Sequence, residues 1–388
     1  MQSAPADVLA ASRATVSMPA DGPWAQVVTG ETGPGSLYAL YIPKEWNGDA
    51  VYVAHGFRDA PGSIDLRDQD NLYANRDALG AQGYAVAYSS YSENGLAVKD
   101  GTQRTYQLRE LLGSRLPVPA NRHFLLGFSL GGLIALNVAE QHPLEYQGAL
   151  LVCGMVGGSR LQSQYLGNVR ALFDAFYPGV LPGNVLGVPA GTQVTIPQVV
   201  AAVTSNPSAL AIIASTAQTP LPHATVNGAP VQSMLVGSLF GALSFHARGI
   251  NNIVELVNGK SPFDNTAPYT AGAGPIAPAF SGPAIAMANT LVTRYSIDPS
   301  AANYLDHYFT PSGQLDMPVL TLHNRWDPGV PDFHETAFRD SVVAKGSGSN
   351  LLQRKVDVFG HCVIPAGMVQ QAFSEVAGWA TTGIKPAS

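Results

Sequence analysis

Charge is scarce in this chain of 388 residues: Asp, Glu, Lys and Arg together make up 12%, about half the usual share. Hydrophobic residues reach 46%, so the surface is expected to rely on Ser, Thr, Asn, Gln, Gly and small apolar residues, as in many secreted proteins. The formal net charge is -6 and no basic run occurs, which argues against nucleic acid or an anionic membrane as a partner. No apolar run approaches the roughly twenty residues that a membrane span requires. Cysteine is nearly absent, with Cys153 and Cys362 the only two. An oxidising compartment would let them pair, and a reducing one would leave two buried thiols. No cluster of His, Cys, Asp and Glu has metal-ligand spacing, and neither G-x-G-x-x-G nor a P-loop is present, so no cofactor is expected. The opening MQSAPADVLAAS has neither a basic n-region nor an apolar h-region. A Met set directly before QSAPA reads as a mature exported chain whose signal peptide has been removed, so a secreted or periplasmic protein is expected.

What is present centres on HFLLGFSLGGLIALNVAE, from His123 to Glu140. A short apolar run meets Gly127-Phe128-Ser129-Leu130-Gly131, and an Ala- and Leu-rich segment follows. This reads as strand, sharp turn and helix with a hydroxyl at the tip. Glycines flank Ser129 because a strained turn leaves no room for a Cβ where strand and helix almost touch. The Leu130 amide, in the first helical turn, faces whatever the serine attacks. With 40 glycines in the chain, such a match arises by chance in roughly one sequence of four. The motif therefore needs support from distant residues.

The rest of the chain is long enough for one large domain or two ordinary ones. Residues 1–22 read as a loosely held leader. Residues 24–29 and 36–42 form a plausible hairpin around Thr32-Gly33-Pro34-Gly35. The run AVYVA at 50–54 suits a buried parallel strand, and it ends in His55-Gly56-Phe57. Gly56 would let the Phe57 amide turn inward as a second oxyanion donor beside Leu130, while His55 reads as a packed residue. A helix over 68–82, a strand over 84–89, a polar loop over 90–101 and a helix over 102–116 capped by Thr102 lead to the serine strand. Another strand over 146–152 follows the serine helix. Strands alternating with helices predict a mostly parallel sheet with helices on both faces.

Between 157 and 313 the alternation stops. Short helices are expected at 169–176, 196–203, 210–216, 234–245 and 284–295, separated by breakers such as Tyr177-Pro178-Gly179 and Gly272-Ala273-Gly274-Pro275. A structureless loop of that length would be anomalous, so a largely helical cap over the active face is expected. Phe173, Phe176, Met234, Leu239, Phe240 and Phe245 are candidates to line an acyl or alcohol pocket or to form the cap's own core. The chain thus divides into a first core part (1–156), a cap (157–313) and a second core part (314–388). In the last part a strand over 317–323 runs into Asn324-Arg325-Trp326-Asp327-Pro328-Gly329. A helix over 332–344, a strand over 352–358, Gly360-His361-Cys362 and a closing helix from 365 to about 380 complete it.

A serine hydroxyl is inert without a neighbouring base that a carboxylate orients. Asp327 just beyond one strand and His361 just beyond the next supply both, in the order Ser, Asp, His that suits a strand-turn-helix nucleophile. Asp332 and Asp306 are the competing acids, and His323 and His334 the competing bases. Asp332, at a helix start, reads as a cap.

GFSLGG, HGF, RWDPGVP and the terminal FGHC together resemble the α/β-hydrolase superfamily, more narrowly its exported bacterial serine hydrolases of carboxylesterase type with a long cap. The likeness covers about 50–154 and 317–380 and leaves the insertion unmatched. It implies a sheet of about eight strands, a cap inserted after the sixth, and hydrolysis through an acyl-enzyme on Ser129. Expected roles are His361 as general base and acid, Asp327 as orienting carboxylate, and Phe57 and Leu130 as oxyanion amides. An apolar ester, small or polymeric, is the expected substrate, with an amidase or peptidase on the same residues as the alternative. Cys153 and Cys362 both fall at the catalytic rim, where a disulfide would pin the histidine loop; pairing and two separate thiols both remain open.

Overall fold

One mixed sheet organises the computed structural model, which describes residues 16–18, 21–70, 72–220, 225–226, 229–270 and 282–387. In chain order its strands are β1 (Val16–Met18), β2 (Trp24–Glu31), β3 (Leu37–Pro43), β4 (Asp49–Ala54), β5 (Ala85–Ser89), β6 (Arg122–Phe128) and β7 (Gly148–Val152). Two short strands, β8 (Thr225–Val226) and β9 (Ala229–Pro230), pair apart from it, and β10 (Val319–Trp326) and β11 (Leu351–Phe359) complete it. The order is β1-β2-β3-β5-β4-β6-β7-β10-β11. The first three strands run antiparallel up to β5, and every pairing from β5 to β11 is parallel.

The expected hairpin is present, with Thr32 N–H donating to Ser36 O across its turn at 2.8 Å. The leader is a correction. Val16–Met18 pairs with Val27–Thr29 and adds a ninth strand at the edge, so the insertion follows the seventh strand of the chain. Residues 1–15 and 19–20 of that leader, and the breaker at 272–275, lie outside the described residues.

Helices cover both faces because strand side chains alternate. Ala50, Tyr52 and Ala54 of β4 face one core together with α2 (Val98–Gly113) and α3 (Leu130–Gln141). Val51 and Val53 face the other, with α1 (Leu72–Ala81) and α11 (Ala366–Thr382). Helix α2 starts four residues earlier than Thr102, whose hydroxyl is not a cap but donates to Val98 O inside the helix at 2.7 Å. The remaining core helix is α10 (Phe333–Ala344).

The insertion holds α4 (Ser159–Phe176), α5 (Ile196–Ser205), α6 (Pro207–Thr216), α7 (Val231–Leu256), α8 (Pro283–Leu291) and α9 (Pro299–Phe309). Leu172, Phe173, Val199, Ile213, Leu239 and Leu243 build a core of its own from α4, α5, α6 and α7. Helix α9 differs from the others. Leu305 is buried in the main core, Tyr304 and Tyr308 pack on it, and Asn137 of α3 donates to Tyr308 O at 2.8 Å. Among the described residues no single helix is long and apolar enough to cross a membrane.

Candidate active site

The turn between β6 and α3 has the geometry its glycines require. Ser129 has φ 54° and ψ -120°, a left-handed conformation that L-residues rarely adopt. A Cβ on Gly127 would sit 2.2 Å from Gly131 O, and one on Gly131 would sit 2.0 Å from Ala54 O. Strand, turn and helix therefore approach so closely that only glycine fits. Two backbone bonds fix the serine: its N–H donates to Val152 O at 2.9 Å, and its carbonyl accepts from Met155 N–H at 3.1 Å.

Three separate strand ends bring their side chains together. Ser129 Oγ lies 2.7 Å from His361 Nε2, and His361 Nδ1 lies 2.7 Å from Asp327 Oδ2. Asp327 is fully buried, and its second oxygen accepts from Gly329 N–H at 2.8 Å and Val330 N–H at 2.9 Å. This leaves Oδ2 for the imidazole and fixes the direction from which the ring is held. His361 sits between Gly360 and Cys362, both at positive φ. Cys362 is joined to Cys153, just beyond β7, in a disulfide with a Cα–Cα distance of 5.3 Å.

On the other side of Ser129 the chain after β4 comes close. A Cβ on Gly56 would lie 3.2 Å from Ser129 Cβ. Gly56 N–H is already used, donating to Asp70 Oδ2 at 2.9 Å. No acceptor among the described residues engages the Phe57 amide, and the Leu130 amide opens α3, where intrahelical acceptors are lacking. Asp70 was not visible from the sequence. Its carboxyl is pushed up by burial, against the pull of the Gly56 bond and the nearby His361, and its φ is 57°. No periodic signal marks such a residue; only its place in a polar stretch between two elements could have suggested it.

The rival residues have other employment. His55 is buried, stacks on Tyr91 at 4.0 Å, and is pushed down to about 3 by burial and then by Arg58. Asp306 pairs with Arg160 at the surface. Asp332 opens α10 without capping it and instead pairs with Lys355 at 2.6 Å, because its αR backbone turns the carboxylate away from the helix amides. His334 accepts from Gly157 N–H at 3.1 Å and bonds Gln162 at 2.9 Å. His323 is buried within β10, with no contact to Ser129.

The inserted helices also reach this site. Phe245 of α7 meets the His361 ring edge-on at 5.1 Å. A Cβ on Gly241, one turn earlier, would touch Pro328 at 2.8 Å. From α4, Gln162 donates to Gly329 O at 2.6 Å and Tyr165 to Pro328 O at 3.0 Å, so that helix holds the acid loop. Of the apolar residues expected to line a pocket, Phe173, Phe176 and Leu239 belong to the insertion's own core, and Phe240 packs on it. A cavity of about 540 Å³ is lined by Asp59, Pro61, Val188, Ser244 and Arg248 among others. The Arg248 guanidinium lies 5.6 Å from the Phe57 ring and 5.5 Å from the Phe245 ring, while Ser129, Asp327 and His361 do not line that cavity. Ser129 itself is only 6% exposed. Among the described residues no three His, Cys, Asp or Glu side chains are grouped to hold a metal ion.

No protein-family model and no curated protein matches the sequence. Solved structures do match the fold. Feruloyl esterase B from Aspergillus oryzae is similar at a TM-score of 0.53 and 13% identity, over 93% of this chain and 81% of that one. An esterase from Aspergillus oryzae is similar at a TM-score of 0.50 and 11% identity, over 93% of this chain and 80% of the other. With the sheet order and the strained serine turn, these likenesses identify the architecture: the chain has the α/β-hydrolase fold.

Proposed function

We propose that this protein is a serine hydrolase that cleaves carboxylic esters of apolar character through an acyl-enzyme on Ser129. The observation that carries the reading is the continuous chain from Ser129 Oγ through the His361 ring to the Asp327 carboxylate, with both links at 2.7 Å. In the first half-reaction His361 Nε2 takes the Ser129 proton as Oγ attacks the ester carbonyl, and then returns it to the leaving alkoxide. Asp327, held by two backbone amides, keeps Nδ1 protonated and stabilises the imidazolium that forms. The oxyanion of the tetrahedral intermediate is received by the Phe57 and Leu130 amides. Water, activated by the same ring, releases the acid in the second half.

The segment from 157 onward acts as a cap. Phe245 covers the base and the serine is nearly closed off, surroundings that suit an uncharged acyl or alcohol group. An amidase or peptidase would need an acid in the cap for the substrate amine. The cap has few: Asp174, Asp264, Asp298 and Asp306 are engaged by Arg170, Thr266, Ser300 and Arg160, and Glu255 is exposed near the end of α7, a scarcity that favours esters. The esterases that share the fold accord with this. The Cys153–Cys362 disulfide fits an exported protein, since such bonds persist in oxidising compartments.

Ser129→Ala should abolish turnover of short p-nitrophenyl esters, by about 10⁴-fold or more, together with fluorophosphonate labelling, while circular dichroism stays unchanged. Turnover retained in that variant would refute the assignment.

A further inference from the structure

Behind Asp327 lies a second buried pair that the mechanism above does not use. His323 and Asp327 are fully buried, and Glu335 of α10 is 1% exposed. His323 Nδ1 lies 3.3 Å from Glu335 Oε1, and its Nε2 donates to Val330 O at 2.8 Å. The other Glu335 oxygen accepts from the Thr321 hydroxyl and from Gln353 Nε2. His323 Nε2 is also 3.9 Å from Asp327 Oδ2, the same oxygen that holds His361. Two imidazoles thus flank one carboxylate oxygen, with the facing nitrogens within about 7 Å of each other.

We propose that His323 is a positioning residue of this site: an imidazolium clamped between Glu335 and Asp327 that holds the acid loop and sets the charge behind His361. The proposal rests on the hydrolase reading of Ser129, His361 and Asp327. Charge balance carries it. Two carboxylates are buried close together, and among the described residues no Lys or Arg pairs with either. Buried carboxylates of that kind need a cation, a shared proton, or both. His334, next to Glu335, is not that cation, because its Nδ1 accepts a backbone N–H. Tyr165 faces Asp327 from α4 but carries no positive charge, and Lys355, opposite His323 on β11, is committed to Asp332. His361 pairs with Asp327 alone, so among the described residues only His323 faces both carboxylates. Burial pulls its basicity down, but Glu335 and then Asp327 outweigh burial, and the ring is pushed up to about 9. Burial and the neighbouring His323 push His334 down to about 3.

Two consequences follow for the reaction. The Val330 residue that accepts from His323 also donates to Asp327 Oδ1, so the ring fixes the acid through one intervening residue. In addition, a fixed positive charge on the far side of Asp327 disfavours a second one on His361 in the resting site.

The test uses the whole chain and three readouts. His323→Gln keeps a donor toward Val330 O and removes the charge. The acidic limb of the fluorophosphonate inactivation rate, and of kcat/KM for a short ester, should move up by about half a pH unit to one unit. The ester kcat should fall with KM little changed. A second variant, His323→Asn, also removes the charge while leaving Glu335 in place, and should show the same displaced limb if His323→Gln folds poorly. Nitrogen-15 NMR of histidine-labelled protein, with the His323 signals assigned by their loss in His323→Gln, should show both ring nitrogens protonated at pH 7.5. A neutral ring at that pH, or an unmoved limb in the variants, overturns the proposal and leaves the hydrolase reading intact. A wild-type chain that fluorophosphonate does not label overturns both.

Discussion

Removing the Cys153–Cys362 disulfide gives the most quantitative test of how the site is held. The bond joins residues separated by 209 positions and so closes most of the second half of the chain into a loop. The loop-entropy relation assigns such a closure about 5 kcal/mol of stabilisation at 25 °C, acting mainly on the unfolded chain. A chain of 388 residues has an unfolding entropy of about 0.8 kcal/mol per kelvin. The double variant Cys153→Ala, Cys362→Ala should therefore melt about 6 °C below the wild type in non-reducing buffer, and reductant should lower the wild type by a similar amount. Alanine is the fair replacement because both positions have positive φ, so the backbone cost of a side chain there is unchanged. The bond also has a local role. It ties the residue after His361 to the residue after Val152, whose carbonyl holds the Ser129 amide. At 20 °C, well below melting, fluorophosphonate labelling should slow on the order of ten-fold, because a base displaced by a fraction of an ångström loses reach. A melting point lowered by less than about 2 °C would refute the entropic estimate. Melting that falls as expected with unchanged labelling would refute the positional role.

Other outcomes are equally definite. Gly131→Ala should not yield folded protein, because its Cβ would stand 2.0 Å from Ala54 O and 2.6 Å from His55 O, both backbone atoms; a wild-type melting curve would sink the close-packed turn. Phe245→Ala should raise turnover of bulky esters relative to short ones, as it uncovers His361; an unchanged ratio would mean that α7 does not restrict access. Stability should depend on pH with opposite signs at the two ends. His323, at about 9 when folded against 6.5 unfolded, contributes about 3 kcal/mol that is present in full below 6.5 and is lost as pH rises through 9. His334 at about 3 and His246 at about 4, both lowered first by burial, should each cost about 2 kcal/mol of stability by pH 5, since only the unfolded chain binds those protons. Melting curves between pH 5 and 10 check both, and a flat profile would contradict them.

The serine turn, the hairpin and the parallel order were legible because each is set by neighbouring residues: glycines where backbones touch, apolar runs where strands are buried. Asp327 and His361 were legible through their positions after strands. Helices α4 and α7 were read too short for a common reason. Each continues through a polar stretch, Arg160 to Gln164 in one and Arg248 to Asn252 in the other, that periodicity assigns to solvent. Gln162 instead binds the acid loop, and Asn252 accepts from Leu96 N–H at 2.8 Å, so tertiary partners decide those turns. The clamp of His323 and Glu335 was hidden for the same reason, because its members are twelve residues apart and meet only when β10 and α10 pack together.

Helix α9 has a consequence for how such a chain can diversify. It packs on α2 and α3 and leads back to β10, so it serves as the ordinary crossover between two neighbouring parallel strands. Helices α4 to α8 are thus inserted ahead of that crossover. They are nonetheless tied to the sheet, since Gln162 and Tyr165 of α4 bond the loop that carries Asp327 and Asn252 of α7 bonds Leu96. A chain that exchanged these helices would have to supply those bonds again for Asp327 to keep its place.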